Sequence, residues 1–357
     1  MNNFDQAPLL VIWEVTQACD LACIHCRASV APGRHPAELN TEEGHRLLDE
    51  IRKFGKPLLV FTGGDPLKRP DLFPLIEHSV SLGLRTNVGP SATPLLTKKV
   101  IEQFKQAGIA RMAVSIDGPD AASHDRFRGV EETFKRASMA LREARDIGLD
   151  TEVQTTVTRR NFHRLYEIAS LCEDWETRMW SVFFIAVTGR ALADNDLTGE
   201  EYERVFADLY DISKRSTFAV KTTEAMHYRR FQATHLQHEP VFANPESPGF
   251  TTASVSDGRG FVFISHTGEI YPSGFLPLHA GNVRTDSLVD VYRNSPLFLT
   301  LRDADARHGK CGACEYRKLC GGSRARAFAT TGDYLAEDPR CIYQPALAAV
   351  RTTSLHV

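Results

Sequence analysis

Short apolar runs alternate with longer amphipathic stretches along the first half of the chain. LLVIWEVT (9–16) is a continuous apolar run of strand length, followed by KPLLVFTGG (56–64), LRTNVG (84–89), ARMAVSID (110–117), LDTEVQTTV (149–157) and WSVFFIAV (180–187). Between them, TEEGHRLLDEIRKF, DLFPLIEHSVSLG, LLTKKVIEQFKQAG and EETFKRASMALREARDIG read as helices; Leu47, Leu48, Ile51 and Phe54 show the spacing. Asn40 with Glu43 reads as a capping box, and Gly83, Gly108 and Gly148 stand where helices should stop. LYEIASLCEDW places Leu165, Ile168, Ala169 and Cys172 on one helical face, so Cys172 reads as a core thiol. Strands separated by single helices predict right-handed βαβ units and a parallel sheet. The fold class is therefore α/β, a partial (β/α)6 TIM-like barrel, because a closed eightfold barrel needs two more units than residues 1–200 supply.

Function in parallel α/β folds sits at the carboxyl ends of the strands. The first strand runs into Cys19-Asp-Leu-Ala-Cys23-Ile-His-Cys26 and the second into Thr62-Gly63-Gly64-Asp65-Pro66. The third ends in Thr86-Asn87, the fourth in Ser115-Ile116-Asp117-Gly118, and the fifth carries Gln154, Thr155 and Thr156. Any one of these reads equally well as an ordinary turn or strand end. Their convergence on one rim predicts a common ligand.

Composition narrows the class. The 357 residues carry 42 Lys+Arg against 45 Asp+Glu, dispersed rather than striped, which gives no electrostatic case for nucleic acid. The longest apolar runs are too short to span a bilayer, and MNNFDQAP lacks the basic and apolar regions of a signal peptide. The expectation is a cytoplasmic protein with no nucleic-acid or membrane partner. In a reducing compartment the eight cysteines read as metal-binding or catalytic. Cys19, Cys23 and Cys26 give three ligands where an iron–sulfur cube or a structural zinc takes four, leaving a coordination position for an exogenous ligand. Cys311, Cys314, Cys320 and Cys341 give four; by spacing alone they fit either zinc or a closed cluster.

The C-x3-C-x2-C loop after the first strand resembles the radical S-adenosylmethionine (SAM) superfamily, and the resemblance extends over nearly the whole chain. It implies a four-iron, four-sulfur cluster on Cys19, Cys23 and Cys26 whose unique iron binds SAM and whose electron yields a 5′-deoxyadenosyl radical. Gly63-Gly64-Asp65-Pro66 resembles the family's GGE motif, with Asp for Glu, so Asp65 is expected to take the methionine amino group. Ser115 and Asp117 resemble the segment that meets the SAM carboxylate or ribose. Arg128 resembles an arginine that pairs with that carboxylate; Gln154 and Thr156 are adenosine-side candidates, Asn87 joins the same cofactor-binding rim, and His25 keeps a planar ring where relatives carry an aromatic.

Gly281-Asn282-Val283-Arg284, the quartet and Arg324-Ala325-Arg326-Ala327 resemble the SPASM/twitch extension, which turns the open choice at the quartet towards a second, auxiliary four-iron cluster. Ser273 and Ser323 stand where relatives often carry cysteines, which predicts two clusters in total. The division expected is a barrel over 1–220, a substrate-facing connection over 221–260 and an auxiliary-cluster domain over 261–357. In the connection, which shows no clear period, Glu224, His227, Tyr228, Arg229 and Arg230 are candidates to hold a carboxylate-bearing substrate, against the plain alternative of a solvated loop. The wording around the quartet resembles the tetrapyrrole-modifying branch (heme d1 and alternative heme pathways), whose members attack propionates. A small-molecule tetrapyrrole is thus the first expectation and a ribosomal peptide the alternative, disfavoured because the first strand begins near residue 9 with no room for a leader-binding domain. A non-enzymatic zinc or electron-carrier protein would leave the rim unexplained. The implied partner is a low-potential electron donor such as flavodoxin or ferredoxin.

Overall fold

The computed structural model describes residues 3–28, 30–191, 193–235 and 255–346. Strands and helices alternate as β1 (Leu10–Glu14), α1 (Thr41–Arg52), β2 (Leu58–Thr62), α2 (Leu72–Ser81), β3 (Arg85–Val88), α3 (Lys98–Gln106) and β4 (Arg111–Ser115). Two helices, α4 (Ala121–Arg128) and α5 (Thr133–Asp146), precede β5 (Thr151–Val157), followed by α6 (Leu165–Asp174), β6 (Met179–Phe184), α7 (Gly199–Arg215), β7 (Ala219–Thr223) and α8 (His227–His235). The remainder is β8 (Phe261–Ile264), β9 (Glu269–Tyr271), β10 (Gly281–Asn282), α9 (Leu288–Asn294), α10 (Pro296–Arg302), α11 (Gly309–Ala313) and α12 (Arg324–Thr331). Both halves of the Asn40–Glu43 box form, Glu43 N donating to Asn40 Oδ1 at 2.9 Å and Asn40 N to Glu43 Oε2 at 2.8 Å. Gly83, Gly108 and Gly148 end their helices with φ of 73°, 86° and 69°.

All of these strands join one sheet in the order β10-β9-β8-β1-β2-β3-β4-β5-β6-β7. Pairing is parallel from β8 through β1 to β7, and antiparallel from β8 to β9 and β9 to β10. Among the described residues no ladder joins β7 to the other edge, so the barrel is partial. Trp13 pairs in register with Phe61 on one side and Ile264 on the other, and Trp13, Trp175 and Trp180 are fully buried. Each contributes roughly 1.5–3 kcal/mol or more through the apolar area it removes from water. Cys172 is buried in α6 beside Leu165, Ile168 and Ala169, the core thiol that its periodicity predicts. No helix among the described residues is long and apolar enough to cross a membrane.

The region after residue 220 differs from expectation. Instead of an irregular connection, residues 219–223 form β7 and 227–235 form α8, so a boundary at 220/221 cuts a strand of the sheet. β7 lacks alternation because all five of its residues are half-buried at the sheet edge. Residues 236–254 of that connection lie outside the described residues. β8 pairs with β1, so strands on both sides of the connection share one frame.

Candidate functional site

The loop that carries Cys19, Cys23 and Cys26 is gripped from three sides. At its entry, buried Glu38 accepts from Thr16 Oγ1 at 2.7 Å, from Arg34 Nε at 2.6 Å and from Gln17 N at 3.2 Å. In its middle, Ala22 N and Ile24 N donate to Arg128 O and Phe127 O, at the end of α4. At its exit, Arg190 N donates to Cys26 O at 2.8 Å. Gly63 and Gly64 lie directly on the loop's backbone: Gly64 N donates to Thr16 O at 2.8 Å and Asp65 N to Ala18 O at 2.6 Å. A Cβ at 63 would sit 2.6 Å from Thr16 O, and one at 64 would sit 2.6 Å from Gln17 O. Glycine is required there by the closeness of two main chains.

The three cysteines line a cavity of about 220 Å³ together with Gly63, Gly64, Ser115, Arg128, Gln154 and Thr156. Three expected residues stand behind this wall. The Asp65 carboxylate is turned inward and accepts from Leu67 N (3.1 Å), Ser91 N (3.3 Å) and Thr93 Oγ1 (2.7 Å), so it holds the turn in place and Ser91 forms the wall instead. This corrects the expectation that its side chain faces a ligand amino group. Asn87 is buried below the rim. Asp117 accepts from Thr156 N at 2.7 Å and pairs with Arg128 at 2.5 Å. Arg128, expected to meet a ligand carboxylate, is thus oriented by a protein carboxylate, with Nη1 3.6 Å from Cys23 Sγ.

Burial pushes the Cys19 and Cys23 thiols up, and the Arg128 charge only partly opposes this at Cys23. A neutral imidazole is enforced at His25, where burial and then Arg128 and Arg190 hold it well below its ordinary value. Its ring packs 4.6 Å from Phe127. Sequence reasoning missed Arg27, which also lines the cavity, pairs with buried Glu14 at 2.7 Å and lies 4.4 Å over the Phe263 ring. His266 completes that site, 2.8 Å from Glu14. Phe183 and Phe275 with Ile185, Ala186 and Ala191 make an apolar wall of the same cavity. Only the position of Arg27 next to Cys26 could have signalled any of this.

Cys311, Cys314, Cys320 and Cys341 line a second cavity, of about 30 Å³. Amide groups point at the sulfurs: Tyr316 N to Cys314 Sγ, Gly322 N to Cys320 Sγ and Asp338 N to Cys311 Sγ, each at 3.4 Å. Amide–sulfur bonds of this kind suit iron-bound thiolates. Burial raises Cys320 to about 12 and Cys341 to about 11, so thiolates here need a metal's positive charge. Four cysteine side chains around one cavity can supply every protein ligand of a closed metal centre. Buried nitrogens without partners include both ring nitrogens of His227 and Nε of Arg230, which line this cavity, and Nε of Arg307 and Nη1 of Arg229. The larger cavity, with three cysteines, has room for an exogenous ligand, whereas the smaller carries four cysteines of its own.

Ser273 and Ser323 serve as main-chain caps. Ser273 Oγ accepts from Phe275 N and Leu276 N, both at 3.2 Å, and Ser323 Oγ accepts from Arg326 N at 3.0 Å and donates to Glu224. Glu224, His227, Tyr228 and Arg230 are buried, and Arg229 is partly so. None of the five lines the larger cavity; His227 and Arg230 line the quartet's. The solvated-loop alternative is corrected too, because His227, Tyr228 and Phe231 pack on Phe206 of α7. Burial lowers His227 to about 3 and raises Glu224 to about 8, leaving both neutral at pH 7.

Residues 13–172 match the radical SAM superfamily. An AdoMet-dependent heme synthase of Nitratidesulfovibrio vulgaris is 42% identical over 94% of this chain and 92% of that protein. One of Methanosarcina barkeri is 37% identical over 97% and 99%. The crystal structure of Streptococcus suis SuiB bound to S-adenosylmethionine superimposes with a TM-score of 0.73 at 18% identity, covering 95% of this chain and 78% of that one, a likeness of fold. With the three-cysteine loop on the first strand of a partial barrel, these matches are decisive: the chain belongs to the radical SAM superfamily and is a radical SAM enzyme.

Proposed function

We propose that this enzyme removes carboxyl groups from the propionate arms of a tetrapyrrole, as a heme synthase. The observation that carries the reading is similarity to AdoMet-dependent heme synthases over nearly the full length of both chains. Cys19, Cys23 and Cys26 would hold the SAM-binding cluster, and Cys311, Cys314, Cys320 and Cys341 an auxiliary one. When bound, the first with SAM supplies a hydrogen-abstracting 5′-deoxyadenosyl radical and the second a one-electron acceptor. Gly63, Gly64, Ser115, Arg128, Gln154 and Thr156 face the space SAM would take; Asp65 and Asp117 hold that wall in position. The Phe183 and Phe275 side suits the flat face of a macrocycle, and Arg27 suits a propionate by charge-assisted pairing. A low-potential donor, flavodoxin or ferredoxin, would feed the electrons in the cytoplasm. The roles divide as barrel (1–220), connection (221–260) and auxiliary part (261–357), although the sheet itself is continuous.

Anaerobic incubation with dithionite and SAM, alone and with a propionate-bearing iron tetrapyrrole or a candidate peptide, tests this. Tetrapyrrole-dependent 5′-deoxyadenosine accompanied by a product lighter by carbon dioxide and two hydrogen atoms for each converted arm is expected. Product from the peptide alone would overturn the substrate. Reconstituted protein should hold about eight iron per chain if both sites carry cubes.

A further inference from the structure

The two cysteine sets differ in the charge around them. Beside the quartet, Arg307 Nη1 donates to Arg317 O at 2.5 Å, Arg324 Nη1 to Tyr334 O (2.9 Å) and Ala336 O (2.6 Å), and Arg229 Nη2 to Val255 O at 2.6 Å. Main-chain carbonyls orient a guanidinium without cancelling its charge. Arg324 Nη2 lies 3.7 Å from Cys311 Sγ. Gly321 and Gly322, with φ of 76° and 67°, clear the way: a Cβ at 321 would lie 2.8 Å from the guanidinium carbon of Arg307, and one at 322 would lie 2.6 Å from Arg324 Nη2. Buried Asp257, which accepts from Arg324 N at 3.2 Å, offsets one of the three charges. Other nearby cations face their own carboxylates: Arg326 with Asp338, Arg230 with Glu203, Lys310 with Glu337 and Arg317 with Asp305. Glu315, which touches Cys314, offsets a second, and an excess of one positive charge remains.

At the trio the charges balance. Arg128 is held by Asp117 and Arg27 by Glu14. Asp65, fixed by neutral donors, lies near Cys19, and Arg190, whose Nε and Nη2 are buried without partners, lies near His25, so the remaining charges are one of each sign.

We propose that Arg307, Arg324 and Arg229 are positioning residues that make the quartet's cluster the easier of the two to reduce, so that it receives the electron released on decarboxylation. This rests on the cluster reading above. The electron balance is one: a propionate radical, R–CH•–CH2–COO⁻, breaks its bond to the carboxylate and forms R–CH=CH2, carbon dioxide and one electron, which an iron–sulfur cluster takes up. Reduction adds negative charge to the cluster, and nearby uncancelled cations stabilise that form.

Anaerobic potentiometric titration of the two-cluster holoenzyme, followed by EPR, tests this; the signal that changes on adding SAM belongs to the trio. In the wild type the quartet's signal should appear at the higher potential. Arg307→Met and Arg324→Met should each lower its reduced-to-oxidised ratio at fixed potential about tenfold, about 59 mV for a one-electron couple. Arg307→Lys, which keeps the charge, should stay within about threefold of wild type. A merely space-filling arginine would give equal shifts for Met and Lys, and that result would overturn the proposal. A quartet harder to reduce than the trio in the unaltered protein would overturn it even if every variant lost its cluster. Metal analysis with about four iron and one zinc would instead overturn the cluster reading, and this proposal with it.

Discussion

Alanine at position 64 would put a methyl group 2.6 Å from Gln17 O and 2.7 Å from the carbonyl carbon of Ala18, where Cβ contacts under 3.0 Å are essentially never found. Every atom it meets is main chain, so no side chain can swing aside. Ala18 O would lie closer still, so the Gly63–Asp65 turn and the cysteine loop must part by at least about 0.6 Å, which also stretches the Gly64–Thr16 and Asp65–Ala18 hydrogen bonds. Overpacking of this kind costs about 1–3 kcal/mol. Spread over the unfolding entropy of 357 residues, it lowers Tm by only about 1–4 °C. Activity should suffer more, because reacting groups tolerate only about 0.5 Å of displacement and about 1 Å can cost a hundredfold. Gly64→Ala is therefore expected to cut reductive SAM cleavage at least about tenfold, measured as 5′-deoxyadenosine. Gly148→Ala is the control. It has φ of 69° but nothing within 4 Å, and it precedes the amino end of β5, away from the cysteine loop. It should cost about 1–2 kcal/mol of backbone strain and leave cleavage unchanged. Gly64→Ala protein that cleaves SAM at the wild-type rate would refute the argument.

Cys23→Ala should abolish SAM cleavage, whereas Cys172→Ala, at a buried core site, should retain it and lower stability by about 1 kcal/mol in urea titrations. Arg326 bonds Asp338 twice, at 3.0 and 2.9 Å, in a pair that is almost wholly buried. Arg326→Met should cost about 3–5 kcal/mol by stranding that carboxylate, and adding Asp338→Asn should recover part of the loss. Glu224 is raised from 4.5 to about 8 by burial and then by Asp257, so the folded state holds a proton that the unfolded state releases. Its contribution is full below about pH 4.5 and is lost as pH rises towards 8. Glu224→Gln should thus stabilise increasingly over that window, read as Tm against pH, and a constant difference would contradict the assignment.

The six barrel strands, the cap at Asn40 and the helix ends at Gly83, Gly108 and Gly148 were legible because each depends on residues close in sequence. β7 was not, because an edge strand with every residue half-buried shows no alternation. α8 was hidden for a related reason: histidine and tyrosine occupy its buried face, and only the aromatic rings of α7 reveal them as core. At the site, the Cys19–Cys26 loop and the strand-end motifs were visible as residue types, but which side of the wall each occupies was not. Asp65 looks like a ligand-facing acid until Thr93 and Ser91 are seen to consume it. Arg27, Glu14 and His266 meet across a separation of 252 residues, with no periodicity to announce it.

Long-range contacts also change what the C-terminal part is. β8 to β10 extend the sheet from the β1 edge. Near the other edge, Arg326 Nε donates to Ile185 O at 3.2 Å just past β6, and Arg340 pairs with Asp196 at 2.7 Å before α7. Ile342 lies against the first residue of α7, so close to Gly199 that a Cβ there would overlap its side chain. The C-terminal part is thus attached both at the β1 side of the sheet and beside β6 and α7. The quartet is therefore fixed relative to the trio by hydrogen bonds and packing at two separated places. A one-electron acceptor must keep a set distance from the carbon it serves, and attachment at both places supplies that constancy where a single flexible connection could not.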